Sequence, residues 1–174
     1  IDGTKAFIDG RDVWCVSVAV VENGRSLCGV LDCPAKGEVF ASAIGSGSWM
    51  NGKPLKVADL SDEVKVAGPK SFVVPFANAQ ARRVEAVGHV PSLAYRIALI
   101  AAGRISATFV KPNAHDWDLA AADLILAEAG GTLVGADGSR PHYAGQTVSH
   151  GVLAEGHPLL IDDMLGVVAA TTIG

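Results

Sequence analysis

Val13-Trp14-Cys15-Val16-Ser17-Val18-Ala19-Val20-Val21, followed by Asn23-Gly24 and then by Leu27-Cys28-Gly29-Val30-Leu31, is the stretch that decides the fold. The β-branched run is too short for most helices, and Asn-Gly is the dipeptide best able to take the positive φ angles of a tight hairpin turn. A β-hairpin is expected, with both strands largely buried. A third strand is expected around Glu38 to Ala43, after the Pro34 to Gly37 turn. Gly45, Gly47 and Asn51-Gly52 then punctuate a loop running towards Val57. The first third therefore reads as an antiparallel sheet.

Past Pro69 the pattern changes. Ser92 to Ala102 is rich in Leu and Ala, has Ser92 available as N-cap behind Pro91, and stops at Gly103, which predicts a helix. A short strand over Ala107 to Val110 follows, then a helix from about Trp117 to Ala129 ending at Gly130-Gly131. Strands at Thr132 to Val134 and Gly151 to Ala154 and a last helix around Leu159 to Ala170 complete the chain. Strands first, then helices alternating with strands, predict an α/β protein of layered α+β type, with sheet buried between helices. No repeat or low-complexity linker divides the 174 residues, so they are expected to form one domain, sheet-rich over about 1–70 and mixed α/β over about 71–174.

The composition narrows the function classes. With 49% hydrophobic and 18% charged residues the chain can bury a core. A net charge of -4 without a basic run argues against a nucleic-acid polymer as partner. Mean hydropathy is +0.33, yet the unbroken apolar runs fall far short of the ~20 residues a spanning helix needs. No membrane association is expected. Cys15, Cys28 and Cys33 are odd in number and contain no CxxC, so neither a disulfide framework nor a zinc site is expected, and a cytoplasmic location is. All three cysteines read as buried small hydrophobes, and Trp14, Trp49 and Trp117 as core or loop packing. The chain opens at Ile1-Asp2-Gly3-Thr4, without Met or signal peptide, and reads as a sequence that starts inside a motif.

Two short segments carry chemistry. Asp2-Gly3-Thr4 packs a carboxylate, a conformationally free residue and a hydroxyl ahead of Lys5 to Ile8, one or two turns of helix that would aim N–H groups at an anion. In His115-Asp116-Trp117-Asp118, Asp116 is a natural N-cap and Asp118 lies in the first turn of a helix that is apolar on nearly every face. An acid at a buried helix end calls for a cation or a dense donor set, and carboxylates with a backbone carbonyl make the oxygen-only shell of Mg2+.

Ile1-Asp2-Gly3-Thr4-Lys5-x-Phe7-Ile8, Asn51-Gly52-Lys53-Pro54, Ala101-Ala102-Gly103, and Trp117-Asp118-Leu119-Ala120-Ala121 ending in Glu128-Ala129-Gly130-Gly131 together resemble the inositol monophosphatase superfamily. The resemblance covers Ile1 to about Ala154. It implies an αβαβα sandwich lacking its N-terminal part, a homodimer, and hydrolysis of a small phosphate monoester by water activated on two or three Mg2+ ions. Carried over by position, Ile1 (through its carbonyl), Asp2 and Asp118 match metal ligands, and Gly3 and Thr4 match the phosphate-cradling turn. The Thr4 hydroxyl matches the group that positions the attacking water, which places Asp2 and Thr4 in the catalytic set, and Ser92 matches a substrate contact. The family's upstream Glu, its Asp just before the Ile and its acidic partner for the Thr have no counterpart here.

Inositol-specific members place a Glu seven positions before the metal-binding Asp and a Gly before the helix read at Ser92. Lys111 and Pro91 stand there in this sequence. A cation cannot accept a hydroxyl proton and pairs well with a second phosphate. With Lys5-x-Phe7-Ile8 and the Asp137 to Tyr143 stretch, this favours the 3'(2'),5'-bisphosphate nucleotidase branch and 3'-phosphoadenosine 5'-phosphate as substrate. The alternatives are inositol 1-phosphate and, from another class, a non-catalytic binding protein on a phosphatase scaffold.

Overall fold

The computed structural model describes residues 1–172. The hairpin forms as β1 (Val16–Glu22) and β2 (Arg25–Cys33), turning through Asn23 at φ 51° and Gly24 at φ 79°. It continues through β3 (Glu38–Ala43), β4 (Ser48–Met50) and β5 (Lys53–Pro54) into a five-stranded antiparallel sheet in sequence order. The short strands β4 and β5 occupy the segment expected to be a loop. Ahead of the sheet lies the short helix α1 (Thr4–Ile8).

A second five-stranded sheet has the order β10-β12-β8-β6-β7, with β6 (Glu63–Ala67), β7 (Arg83–Ala86), β8 (Ala107–Val110), β10 (Thr132–Gly135) and β12 (Leu153–Gly156). β6 runs parallel to β7 and β8, and the remaining pairs are antiparallel. A two-stranded ribbon joins β9 (Ala114–His115) to β11 (Ser149–His150). The longer helices are α2 (Lys70–Ala79), α3 (Leu93–Ala101), α4 (Asp116–Glu128) and α5 (Ile161–Thr172).

These elements stack as sheet, helices, sheet, helices. α3 and α4 lie between the two sheets, and α2 and α5 cover the far side of the second. The alternation of β8 shows the layering directly: Val110 joins the core with Leu119, Ile125 and Leu133, whereas Phe109 joins Phe72, Phe76 and Met164. Because α4 is covered by both sheets it has no polar face, and its buried Leu119, Ala120, Ala121, Ala122, Leu124, Ile125 and Leu126 need none. Its two later acids are both used: Asp123 accepts the Tyr143 hydroxyl at 2.8 Å, and Glu128 accepts the N–H groups of Gly45 and Gly47 at 2.9 Å each. The first sheet approaches α4 closely at Gly29, where a Cβ would stand 2.8 Å from Ala121 Cα.

Several expectations need correction. The hairpin strands are not both largely buried. Val16, Val18 and Val20 of β1 and Val30 of β2 are exposed, because α4 packs one face of this sheet and β-branched residues favour a strand whichever face they occupy. Cys28 is likewise exposed, while Cys15 and Cys33 are buried. Trp117 is exposed and stacks on His115 with 4.4 Å between ring centroids. The β6–α2–β7 unit was not anticipated, since Pro75 sits in the middle of α2 and interrupts the helical signal.

Candidate active site

Asp2 is fixed before any helix begins. Its N–H donates to Cys15 O at 2.9 Å and its own carbonyl accepts the Cys15 N–H at 3.0 Å, which ties residue 2 to the entry of β1. Gly3 then turns the chain at φ 80°, and a Cβ there would lie 3.0 Å from Val13 O and 3.2 Å from Ser92 Cβ. Only glycine fits both the angle and the gap. Thr4 follows at the surface, and its hydroxyl donates to Ile1 O at 3.0 Å.

The buried Asp2 side chain points at the start of α3. Its Oδ2 accepts the Ser92 hydroxyl at 2.5 Å and the Ala94 N–H at 2.7 Å. The Ser92 oxygen in turn accepts the Tyr95 N–H at 3.1 Å, so Ser92 is the N-cap expected of it. As a substrate contact Ser92 is corrected: it has no exposed surface, its hydroxyl is fully engaged, and it holds Asp2 in place.

Asp118 stands in the first turn of α4, and its Oδ2 accepts the His115 N–H at 3.1 Å. The N-cap is His115, not Asp116. Asp116 turns the other way and accepts the Ala144 N–H and binds His150 Nε2, each at 2.7 Å, which fastens the segment before β11 to the helix. Burial raises the Asp2 carboxyl above its ordinary range. The Ser92 and Ala94 hydrogen bonds oppose this, and the charge of Asp118 adds to it, so the two carboxylates sense each other.

Asp118 lines a cavity of about 660 Å³ bounded by Ala67 to Lys70, by Ala86 to Pro91 with Leu93 and Arg96, and by Phe109 to Ala114. Lys111 lines it too and is exposed. Gly3 and Thr4 line a neighbouring hollow of about 370 Å³, which shares His89 and Pro91 with the first. The structure thus gathers Ile1, Asp2, Gly3, Thr4 and Asp118 around one region, with Lys111 on the adjoining wall. Lys70, His89 and Arg96 are further cavity residues that sequence reading missed. For Arg96 there was a signal, a lone charge within the apolar run from Leu93 to Ala102; the other two lie in segments without a pattern.

Among the described residues no group of three or more His, Cys, Asp or Glu side chains is gathered to hold a metal ion. What the chain presents is a pair of acids, one buried and penalised when ionised without a cation beside it. That donor chemistry fits a hard divalent ion and supplies part of its shell.

The inositol monophosphatase family model matches residues 1–168. A Thermotoga maritima protein named fructose-1,6-bisphosphatase/inositol-1-monophosphatase is 33% identical over 138 residues, covering 75% of this chain and 52% of the relative. A histidinol-phosphatase of Chlorobaculum parvum is 32% identical over 142 residues, covering 75% and 53%. The chain thus spans little more than half the length of these relatives. Among solved structures, an inositol monophosphatase of Thermotoga maritima superposes with a TM-score of 0.83 at 26% identity, covering 98% of this chain and 66% of that one.

Proposed function

We propose, since the chain belongs to the inositol monophosphatase family, that the protein hydrolyses a small phosphate monoester with water and uses Mg2+. The observation that carries this reading is the meeting of Asp2, Asp118 and the Gly3-Thr4 turn, residues far apart in sequence, beside a cavity large enough for a small metabolite. Asp2, Asp118 and the carbonyl of Ile1 are the groups that would hold Mg2+. When bound, the ion supplies positive charge to phosphoryl oxygens and acidity to water.

The chain's own residues set the geometry. Ser92 and the Ala94 N–H hold Oδ2 of Asp2 and so fix its orientation. With its proton committed to Ile1 O, the Thr4 oxygen is left as an acceptor, the sense needed to align an attacking water. Lys111 on the cavity wall supports a substrate with a second phosphate, of which 3'-phosphoadenosine 5'-phosphate is the favoured example. Inositol 1-phosphate is the second reading, favoured by the relative whose name includes inositol-1-monophosphatase. We place this activity in one phosphatase domain of a cytoplasmic homodimer; no described helix is long and apolar enough to cross a membrane.

The test is release of inorganic phosphate from both substrates with Mg2+ and with chelator. Release that survives chelation, or that Asp118→Asn leaves unchanged, would defeat the metal mechanism.

A further inference from the structure

Arg96 begins its turn of α3 directly beyond Ser92, with its N–H on Ser92 O at 3.1 Å, and its side chain lines the cavity that Asp118 and Lys111 also line. Its Nε is buried and has no hydrogen-bond partner, and no ion pair to its guanidinium forms among the described residues. An arginine carries five donors, and one removed from water without an acceptor is costly unless something else fills the place.

The acids around it do not fill that place. Asp2 acts on it through charge alone and spends Oδ2 on α3. Glu155, on β12 behind it, is fully buried, and both of its oxygens lack a hydrogen-bond partner. Burial pushes the Glu155 carboxyl up to about 8, and Arg96 brings it only part of the way back. Burial thus favours the uncharged form of Glu155. Arg96 stays protonated although burial lowers its pKa, because the guanidinium value starts so high.

We propose that Arg96 is the receptor for a second phosphate of the substrate, taken from the cavity side by its free guanidinium donors. The ligand class is a phosphate monoester that carries another phosphate, on a nucleoside or on a sugar. Lys111, exposed, is a screened point charge, whereas Arg96 is half-buried and offers a planar fork whose Nε is withdrawn from water. This inference rests on the phosphatase reading for its substrate class.

The experiment is titration of the full 174-residue chain in EDTA, so that neither metal nor turnover contributes. Adenosine 3',5'-bisphosphate is compared with adenosine 3'-monophosphate, and fructose 1,6-bisphosphate with fructose 1-phosphate. The expected result is about tenfold tighter binding of the bisphosphate in at least one pair, reduced below about threefold in Arg96→Gln and intermediate in Arg96→Lys. The pair that shows the effect tells the nucleoside from the sugar. Equal binding within both pairs, or a preference that Arg96→Gln leaves intact, would overturn the proposal. Should Arg96→Gln not fold, the Arg96 Nε–H resonance of the wild-type chain gives the same answer: a downfield shift with the bisphosphate and none with the monophosphate supports the site, and no shift with either overturns it. Phosphate release on adding Mg2+ is scored separately. Its absence, with the Arg96-dependent preference retained, would leave the anion site standing; the hydrolytic reading is scored on protein that also carries the family's upstream acids, where no phosphate release with Mg2+ would sink it.

Discussion

Asp2 and Asp118 face the same region but are held in opposite ways. Asp2 is 9% exposed, sits in a strand-like bridge, and has one oxygen locked by a hydroxyl and a backbone N–H at the start of α3. The Asp118 side chain keeps 21% of its surface, rides on the first turn of α4, and receives a single backbone N–H. Asp2 is thus part of the joint between β1 and α3 as well as a candidate ligand, while Asp118 is a replaceable cap on a helix that the two sheets hold regardless. Structural and chemical roles are fused in the first acid and separable in the second.

The largest effect should come from the separable one. In the active protein Asp118→Asn is expected to lower kcat by about a thousandfold or more while shifting the unfolding midpoint by less than about 2 °C, since the amide oxygen can still accept the His115 N–H. A large loss of stability in this variant would erase the contrast. Asp2→Ala should behave differently. It strands the Ser92 hydroxyl and the Ala94 N–H in a buried place and should cost about 2–4 kcal/mol in urea unfolding, whereas Asp2→Asn should cost less than about 1 kcal/mol. Equal losses for the two would show that charge, and not the acceptor, matters at this joint.

On the open side of the site, Lys111→Glu should erode the preference for 3'-phosphoadenosine 5'-phosphate over inositol 1-phosphate by roughly five- to a hundredfold in kcat/KM at low salt, without altering stability. Equal kcat/KM for the two substrates, unchanged by Lys111→Glu, would return inositol 1-phosphate to first place. The smallest effect concerns pH. Because the folded chain raises the Asp2 pKa above 3.8, it binds that proton more tightly than the unfolded chain does. The resulting stability is present below 3.8 and lost as pH rises through the folded value. Metal-free chain should therefore show a steeper decline in stability above pH 4 than Asp2→Asn, and coincident curves would contradict the burial argument.

The two acids were also unequally legible. Asp118 announced itself, because an acid in the first turn of an all-apolar helix has few structural explanations, and the strand and helix runs around it obey simple periodicity. The partners of Asp2 could not be read locally: Ser92 looked like an ordinary N-cap, and only the packing of α3 against Gly3 reveals that its hydroxyl is turned on Asp2. Lys70 and His89 reach the cavity through the β6–α2–β7 unit, which Pro75 hid from a periodicity reading. The expectation of buried hairpin strands failed for a related reason. Valine content signals a strand and says nothing about which of its faces another layer covers.

The approach of Gly29 to Ala121 has an evolutionary consequence. With less than 3 Å between a hypothetical Cβ and the helix backbone, the spacing of the first sheet from α4 is set by two of the smallest side chains. Neither position can drift to a larger residue alone, since the helix carrying Asp118 would have to slide or the hairpin bow outward. Among homologues the two sites should vary together or not at all, a constraint that links the hairpin to the helix carrying Asp118 although neither residue lines the cavity beside it.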